Sequence, residues 1–511
     1  MIELNSKYRP IILCIFMLLM IVSLGACEEE NVVSSEPRPN DPMLLSMKFN
    51  YEKNKKHINN DVYCKIIGDS IVECWLSDIQ SDKLLIPSFE YVGDKVMIDT
   101  LEVTSNTTVC DFRKPVMLKV ISGYKSRRYK VLIHAYTGIP ILWIDTEKHK
   151  LIESKEKYLK AHFKLVEDVV TRSPGDIVEL DGFIKGRGNS TWANGIRKLP
   201  YRIKFNEKVS FLGEHGDKSW VLLANYLDNT MLRNQIASYM GSIGILDYTP
   251  RFHYVDMILN GYYNGTYQLG EKIKVSKHRV NVGDDGFLLE FDVRATSDDI
   301  YFNVKRQQAP IVIKEPKVEV DDDNYKFIRD YVLAAEKTLF SDQFADPEVG
   351  WKKYMDMDSF VEWYLINEIA KNKDACLFSS CFMNLKRGGK LKMGPIWDFD
   401  LAFGNFLSEN CVEYTDYWIK NTSWYSRLFE DPAFVARVKE RFNFFYDHRD
   451  DIMNEIDANV RYIRYSVEEN EHEFSIMDVE NVWDSYQAEV WKLKNWINNR
   501  LEWLKLQFDT M

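Results

Sequence analysis

The feature that most constrains the fold of this chain is a change of hydrophobic pattern near residue 322. Before that point, short apolar or alternating runs of strand length recur, such as "PYRIKF", "HYVDMILNG" and "GFLLEFD". After it, apolar residues repeat at helical spacing, as in the stripe of Val361, Leu365 and Ile369. Strands that precede helices, instead of alternating with them, predict an α+β fold.

The strand-rich part contains two strong turn signals. Asn260-Gly261 and Asn264-Gly265 are dipeptides that favour two-residue hairpin turns. We therefore expect each of them to lie at the tip of a hairpin, with an antiparallel strand on either side.

Residues 1–26 have the pattern of a secretory signal peptide. Lys7 and Arg9 precede an apolar run from Ile11 to Val22, which is shorter than the ~20 residues of a transmembrane helix. The stretch "LGAC" that follows resembles a bacterial lipobox, which implies cleavage before Cys27 and lipidation of its thiol. An ordinary or uncleaved signal peptide is the alternative.

The residues that follow Cys27 also carry a localisation signal. The stretch "EEE" resembles the surface-export signal of Bacteroidetes lipoproteins. Residues 27–42 are polar and carry prolines, so we expect them to form a tether between lipid and protein. These resemblances imply a lipid anchor in the outer membrane at the cell surface, with the lipid as the sole contact to the membrane.

Residues 43–136 are predicted to form a first domain. Short strand-like runs separated by Gly, Asn, Asp and Ser are typical of an antiparallel β-sandwich. The segment resembles the small Ig-like modules at the front of many Bacteroidetes surface lipoproteins. It carries no constellation of residues that is typical of catalysis, which favours a spacer or docking module.

Charge and cysteine content exclude two classes of function. A formal net charge of -11 argues against general nucleic-acid binding, which needs a basic surface. Six cysteines remain once Cys14 and Cys27 are set aside, and none lies in a CxxC pair or a His/Cys cluster with zinc-site spacing. The sequence leaves their pairing open.

The stretch "GPIWDFDLAFGN" places two carboxylates, Asp398 and Asp400, among apolar side chains. In an extended segment, residues i and i+2 share a face, so both carboxylates would point the same way. Two carboxylates on one side suit Mg²⁺, which takes one or two of them together with phosphate oxygens and water. The alternative is a pair of aspartates that brace a turn.

A glycine-bracketed arginine is a second candidate for chemistry. In "DGFIKGRGNSTW", Gly186 and Gly188 flank Arg187. Glycines allow backbone amides to approach an anion, and an arginine can bind phosphate with two hydrogen bonds. The alternative is a structural turn whose arginine braces a carboxylate.

Further candidates come from charged residues in strand-like and turn-like stretches. In "RKLPYRIKF", Arg202 and Lys204 share one face of an extended segment, so Lys204 could point into a cleft; a solvated strand face is the alternative. Glu271 or Glu290 could orient a phosphate-binding lysine through an ion pair. Asp374 follows the end of a helical stripe, where it could meet a substrate hydroxyl or simply form a turn.

Six stretches in one order, between about residues 140 and 420, resemble the spore-coat-protein-H (CotH) kinase family. They are "KGRGNSTW", "LPYRIKF", "KSWVLLANYLDNTMLRN", "MILNGYYNGTYQLGEKIKV", "GFLLEFD" and "PIWDFDLAFGN". The resemblance implies that residues 139–511 form an atypical, two-lobed domain similar to protein kinases, strand-rich over about 139–320 and helix-rich over about 322–511. It also implies transfer of phosphate from ATP, with Mg²⁺, to Ser or Thr of a protein substrate.

The same resemblance assigns roles to the candidate residues. Asp398 would hold Mg²⁺ with support from Asp400, and Asp374 would be the base that orients the acceptor hydroxyl. Asp374 and Asp398 are thus the predicted catalytic residues. Arg187 and Lys204 are the predicted contacts to ATP, and Glu271, grouped with them, is the predicted ion-pair partner of Lys204.

One position departs from the kinase pattern. Kinase catalytic loops carry a metal-binding Asn five residues after the base, where this chain has Ser379. A surface lipoprotein would also lie outside the compartment that holds the ATP pool. The alternative function is therefore a catalytically silent CotH-like surface protein that acts as an adhesin or assembly factor.

Overall fold

The computed structural model describes residues 41–58, 61–76, 83–168, 177–193, 195–405, 412–477 and 481–511. Its internal contacts divide the described residues into two units. The first extends to Asn54 and includes Asn60–Val72 and Leu84–Leu132, whereas the second contains Lys55–Asn59, Glu73–Lys83 and Ile133–Met511. The predicted signal peptide, most of the predicted tether and the predicted lipidation site Cys27 lie outside the described residues.

The described chain up to Ala135 forms short strands that assemble into three sheets. They are β1 (Met43–Phe49), β2 (Val62–Tyr63), β3 (Lys65–Ile67), β4 (Ile71–Leu76), β5 (Leu84–Leu85), β6 (Pro87–Val92), β7 (Lys95–Ile98), β8 (Leu101–Val103), β9 (Cys110–Asp111), β10 (Val116–Ser122) and β11 (Lys125–Ala135). The sheet orders are β2-β1-β6, β3-β4-β11-β10-β7-β8 and β5-β9. Val116, Leu118 and Val120 alternate inward along β10, as the period-2 pattern of a half-buried strand requires. The Ig-like assignment stays a prediction.

The next strands close into a seven-stranded barrel, which the sequence did not predict. They are β12 (Ile141–Thr146), β13 (Leu159–Val166), β14 (Ile177–Gly186), β15 (Tyr201–Val209), β16 (Asp217–Leu223), β17 (Phe252–Leu259) and β18 (Tyr262–Glu271). The barrel order is β12-β13-β14-β15-β16-β18-β17, and a parallel pairing of β12 with β17 closes it. Phe163, Ile184, Ile203 and Leu222 belong to the buried core of the barrel strands.

Of the two predicted hairpin turns, one is confirmed and one is wrong. Asn260-Gly261 connects β17 to β18, with positive φ at both residues. Asn264-Gly265 lies inside β18 instead, beside a register shift in its pairing with β17. Gly265 has φ +89° there, and a Cβ atom at this position would collide with Asn470 and Lys198. Tertiary packing, not turn formation, therefore explains the second glycine.

A second, five-stranded sheet follows the barrel in the chain. Its strands are β19 (Phe287–Phe291), β20 (Tyr301–Phe302), β21 (Ile311–Glu315), β22 (Cys381–Leu385) and β23 (Lys392–Met393), in the order β20-β21-β19-β22-β23. Strands β22 and β23 come from the part of the chain beyond residue 322. The sheet is therefore shared between the strand-rich and helix-rich parts of the sequence.

Helices supply most of the chain beyond residue 322, as the periodicity predicts. The described helices are α1 (Arg233–Ile243), α2 (Asp323–Leu339), α3 (Met357–Ala370), α4 (Ser423–Leu428), α5 (Pro432–Asp447), α6 (Arg449–Tyr462), α7 (Arg464–Phe474) and α8 (Val482–Asp509). Val361, Leu365 and Ile369 of α3 are fully buried in the largest hydrophobic core. The mixed α+β class is confirmed. In the described part of the chain, every helix is too short or too polar to cross a membrane.

A buried ion cluster joins α7 to β11 and β4 within the second unit. Glu469 forms an ion pair with Lys83, and its Oε2 lies 3.5 Å from Nδ1 of His134. Nε2 of His134 lies 3.0 Å from Oε1 of Glu73. Although burial opposes the charge, the hydrogen bond from His134 and the ammonium of Lys83 lower the pKa of Glu469 to about 2.

We expect Glu469→Gln to lower the free energy of unfolding by about 3 kcal/mol at pH 7. The pKa of Glu469 is lower in the folded chain than its ordinary value of 4.5, so its contribution is complete above pH 4.5 and is lost as the pH falls toward 2. Urea unfolding at pH 7 and at pH 3 measures the difference, which should shrink at the lower pH. Glu468→Gln is the control, because burial raises the pKa of Glu468 instead. An equal loss in both variants would contradict the prediction.

Candidate active site

A cavity of about 480 Å³ lies in the second unit, between strands of the barrel and the five-stranded sheet. Its walls come from strands of the barrel and the sheet and from the segments beside them: the residues before β13, the end of β14 with the loop after it, strands β15 and β16, Asn234 of α1, the residues after β18, strands β19 and β21, and the segments around Asp374 and Asp398. Four residues predicted from the sequence meet there: Arg187, Asp374, Asp398 and Asp400.

Asp374 is placed by the end of helix α3. Lys371 has left-handed backbone angles that stop the helix, and a single turn of 3-10 helix, Lys373–Ala375, follows. The main-chain oxygen of Asp374 accepts hydrogen bonds from the amides of Phe378 and Ser379, at 3.3 and 3.2 Å. The side chain is thereby left at the cavity wall, on a turn that is fixed through its backbone.

Asp398 and Asp400 reach the same cavity through a turn, not through the extended segment that the sequence analysis assumed. Asp398 has φ +68°, a left-handed conformation that aspartate tolerates better than most residues. The amide of the intervening Phe399 donates to Oδ1 of Asn234 at 2.9 Å, which ties the turn to α1. The hydroxyl of Ser380 donates to Oδ2 of Asp398 at 3.3 Å.

Burial and mutual repulsion disfavour the charges on this aspartate pair. Asp398 is exposed to the space of the cavity, yet the surrounding protein removes enough water to raise its pKa, against the attraction of Arg187. Burial, together with the neighbouring Asp398, raises the pKa of Asp400 to about 8. The nearby carboxylates of Asp228 and Asp374 act in the same direction. Both carboxyl groups therefore bind a proton more readily than an ordinary aspartate, and a cation bound between them would favour their charged forms.

The donor set fits a hard divalent cation that brings other ligands with it. Among the described residues, no three His, Cys, Asp or Glu side chains are grouped closely enough to hold a metal ion by themselves. Asp398 and Asp400 offer carboxylate oxygens only, and Mg²⁺ is commonly held by one or two carboxylates plus phosphate and water. The pair therefore suits Mg²⁺ that arrives with a phosphorylated ligand.

The glycines around Arg187 serve local packing. A Cβ atom at Gly186 would overlap the ring of Trp192, and one at Gly188 would overlap the hydroxyl of Thr191. The amide of Arg187 donates to the main-chain oxygen of Pro200 at 3.2 Å, so it is used within the protein. The loop therefore offers a ligand the guanidinium of Arg187, which lies near Asp398 and Asp400, and does not offer it a set of free backbone amides.

Lys204 and Glu271 do not line the cavity, and the expected ion pair between them is not formed. Lys204 is exposed on the outer face of β15, while Arg202, two residues earlier on the same face, lines the cavity in its place. Glu271 is fully buried, with its carboxylate 3.3 Å from Nε of Arg251 and 3.6 Å from Nε of Arg279. The alternating pattern of β15 showed which of its residues share a face, but not how far along the strand the cavity extends.

The lysine–glutamate pair of the cavity is Lys314 with Glu290. Their side chains are 2.9 Å apart and come from the neighbouring strands β21 and β19. Glu290 was one of the two glutamates considered from the sequence, whereas Lys314 was missed. The signal for it was present, because Lys314 is the first charged residue after the apolar run of β21.

Ser379, five residues after Asp374, connects two segments of the cavity wall. Its hydroxyl accepts from Nη1 of Arg294 at 2.9 Å and donates to Oδ1 of Asp292 at 3.2 Å. Nη2 of Arg294 also lies 3.5 Å from Oδ2 of Asp374. These contacts, which sequence reasoning missed, join the turn after β19 to the segment that carries Asp374.

The side chains around the cavity are of the types found in phosphoryl-transfer sites. A carboxylate pair, a separate aspartate and several cations around one cavity are the parts from which kinase-type phosphoryl transfer sites are built. The chain matches the model of the family described as CotH kinase protein over residues 184–504, and it belongs to that family.

Comparison with individual proteins adds little to this assignment. One similar solved structure is the crystal structure of a DUF4623 family protein from Bacteroides eggerthii DSM 20697. It is 10% identical, the match covers 37% of this chain and 58% of that one, and the TM-score is 0.16, which carries no argument about fold. No curated protein matches the chain.

We expect Asp400→Asn to raise the free energy of unfolding of the ligand-free protein by roughly 1–3 kcal/mol at pH 8, because it removes one of two repelling charges. The folded-state pKa of Asp400 is raised to about 8 from an ordinary 3.8, so the destabilisation is absent below pH 3.8 and grows as the pH rises to 8. Thermal unfolding at pH 4 and pH 8 measures it. Asp330→Asn, at an exposed site on α2, is the matched control; equal stability of the Asp400 variant and wild type at pH 8 would refute the prediction.

Proposed function

We propose that this protein is a Mg²⁺-dependent, kinase-like phosphotransferase that moves the γ-phosphate of ATP to Ser or Thr of a protein. The observation that carries the proposal is the convergence of Asp374, Asp398, Asp400 and Arg187 in one cavity, from segments about 200 residues apart in the chain. Membership of the CotH kinase family supports the same reaction class.

Each residue has a role that follows from its position. Asp398 and Asp400 would hold Mg²⁺, which supplies positive charge to the phosphate oxygens. Arg187 stands next to the pair and can bind the transferred phosphoryl group. Asp374 orients the acceptor hydroxyl and takes its proton, while the acceptor oxygen bonds to the γ-phosphorus and the bond to the β-phosphate oxygen breaks.

The proposed setting is the cell envelope. The lipobox-like "LGAC" and the acidic residues after it support lipidation of Cys27 and anchoring to the outer membrane at the cell surface. The substrate is then a protein of the envelope, and the donor must be available outside the inner membrane.

The decisive experiment incubates the purified chain with γ-labelled ATP and Mg²⁺, with casein and the chain itself as acceptors. We expect label transfer, and we expect Asp398→Asn and Asp374→Asn each to lower kcat by about 100-fold or more, because the first removes a metal ligand and the second the group that aligns the hydroxyl. ATP hydrolysis, followed in parallel, detects transfer to water when neither protein is an acceptor.

Asp330→Asn is again the matched control and should transfer label at the wild-type rate. Undiminished transfer in the Asp398 variant, or no binding of MgATP by calorimetry, would overturn the proposal. Binding of MgATP without transfer to protein or water would favour the alternative, a catalytically silent surface protein that acts as an adhesin or assembly factor. The contacts of Ser379 support this alternative, because the Ser379 hydroxyl is used within the protein at a position where kinases have a metal ligand.

A further inference from the structure

Three cations line the cavity without belonging to the aspartate site. Lys185 is the penultimate residue of β14, Arg202 lies on β15, and Lys272 follows the last residue of β18. The antiparallel register places Lys185 directly opposite Arg202. Like charges that face each other across two strands destabilise a sheet, so this pair needs a reason to exist.

The protein balances these three charges only in part: Glu156 attracts Lys185 and Glu315 attracts Lys272 without forming an ion pair. Among the described residues, Lys314 is paired with Glu290 and Arg294 with Asp374, but no carboxylate forms an ion pair with Lys185, Arg202 or Lys272. Nε of Arg202 is buried and finds no hydrogen-bond partner in the part of the chain that the structure describes. Such an atom costs free energy unless a ligand satisfies it.

This arrangement of charges lowers the pKa values of the two lysines. Burial and the nearby charge of Arg202 lower the pKa of Lys272 to about 8. Burial and Arg202 also lower the pKa of Lys185. Arg202 thus lies near two half-buried ammonium groups that repel it, and an anion placed among the three would offset that repulsion.

The cluster is contiguous with the aspartate site but distinct from it. Arg187 feels both the negative charges of Asp398 and Asp400 and the positive charge of Arg202. The charges along the cavity therefore change from acidic at Asp398, through Arg187, to predominantly basic around Arg202, where Glu156 and Glu315 are the nearby carboxylates. An extended anion that begins at the metal-binding pair would reach the cluster with its far end.

We propose that Lys185, Arg202 and Lys272 form a subsite for the phosphate groups of the donor that are not transferred, and that it selects the donor by the length of its oligophosphate chain. The inference rests on the proposed function for the identity of the transferred group. An oligophosphate chain can come from a nucleoside triphosphate or from inorganic polyphosphate, and both share the chemistry that the cluster recognises.

Calorimetry with the purified full chain and Mg²⁺ tests the subsite without any turnover. We expect affinity to rise from phosphate to pyrophosphate to tripolyphosphate. Arg202→Gln and Lys185→Gln should each weaken tripolyphosphate binding by at least tenfold, and Arg202→Lys should restore part of it. Lys208→Gln, which removes an exposed lysine from the same strand β15, is the matched control and should bind as wild type does.

Thermal unfolding without ligand separates a binding role from a structural one. Because Lys185 and Arg202 repel each other, Lys185→Gln should melt at or above the wild-type temperature while it loses tripolyphosphate affinity. A lower melting temperature with unchanged affinity would assign the cluster to the fold and overturn the proposal, as would equal affinity for phosphate and tripolyphosphate.

A parallel titration with ATP identifies the source of the chain. Equal affinity for ATP and tripolyphosphate shows that the phosphates suffice, and tighter binding of ATP identifies a nucleotide; in both cases the tenfold loss in the variants supports the subsite. The result also separates this inference from the proposed function. Tripolyphosphate binding that depends on Arg202, without phosphate transfer, upholds the subsite alone, whereas transfer that does not respond to Arg202→Gln upholds the function alone.

Discussion

The parallel pairing of β12 with β17 closes the barrel, and the geometry of the cavity depends on that closure. In a closed barrel, each strand has one face that fills the interior and one that faces outward. Ile184 and Ile203 take the interior positions of β14 and β15. Lys185 follows Ile184, and Arg202 precedes Ile203. Both cations are therefore turned to the outer face, where the cavity lies. A slip of one residue in this register would carry the two cations into an apolar core.

The barrel thus fixes one set of charges, and the five-stranded sheet with its following segments fixes the other. Arg294 contacts both Asp374 and Ser379, and Asn234 accepts from the amide of Phe399, the residue after Asp398. Contacts between segments far apart in sequence therefore hold both aspartates in place. In both the acidic and the basic part of the cavity, burial and neighbouring like charges disfavour the charged forms of Asp400 and Lys272. Such arrangements lower stability, and they are expected where binding, not folding, decides the residue.

The sequence was sufficient to select residues that meet in one cavity where those residues stand in short, chemically distinctive stretches. Asp398, Asp400, Asp374 and Arg187 were selected by residue type next to a turn or glycine, and the structure brings all four to one cavity. That the aspartate pair is formed by a left-handed turn and not by an extended segment could not be read from spacing, because both geometries bring i and i+2 to one side.

Lys204 and Glu271 show where sequence reasoning ends. Period-2 alternation places Arg202 and Lys204 on one face, but the position along β15 at which the cavity stops is set by the sheet that packs beside it. Glu271 is paired with arginines at positions 251 and 279, and no local pattern announces such contacts. The barrel itself was hidden for the same reason, since closure depends on one parallel pair between strands more than 100 residues apart.

On the proposed function, with Asp374 as the base, Ser379 stands where protein kinases carry an asparagine. In protein kinases that asparagine holds a second metal ion, which adds positive charge near the phosphates. Here the hydroxyl of Ser379 is bonded to Arg294 and Asp292. The side-chain oxygen of Asn234 is also in use within the protein, because it accepts a hydrogen bond from the amide of Phe399. The chain instead places fixed cations, with Arg202 at their centre, along the cavity beyond Arg187. On the proposed function, side-chain charge from the barrel therefore takes over the neutralisation that a second metal ion provides in kinases, so the loss of that asparagine does not by itself imply a loss of phosphoryl transfer.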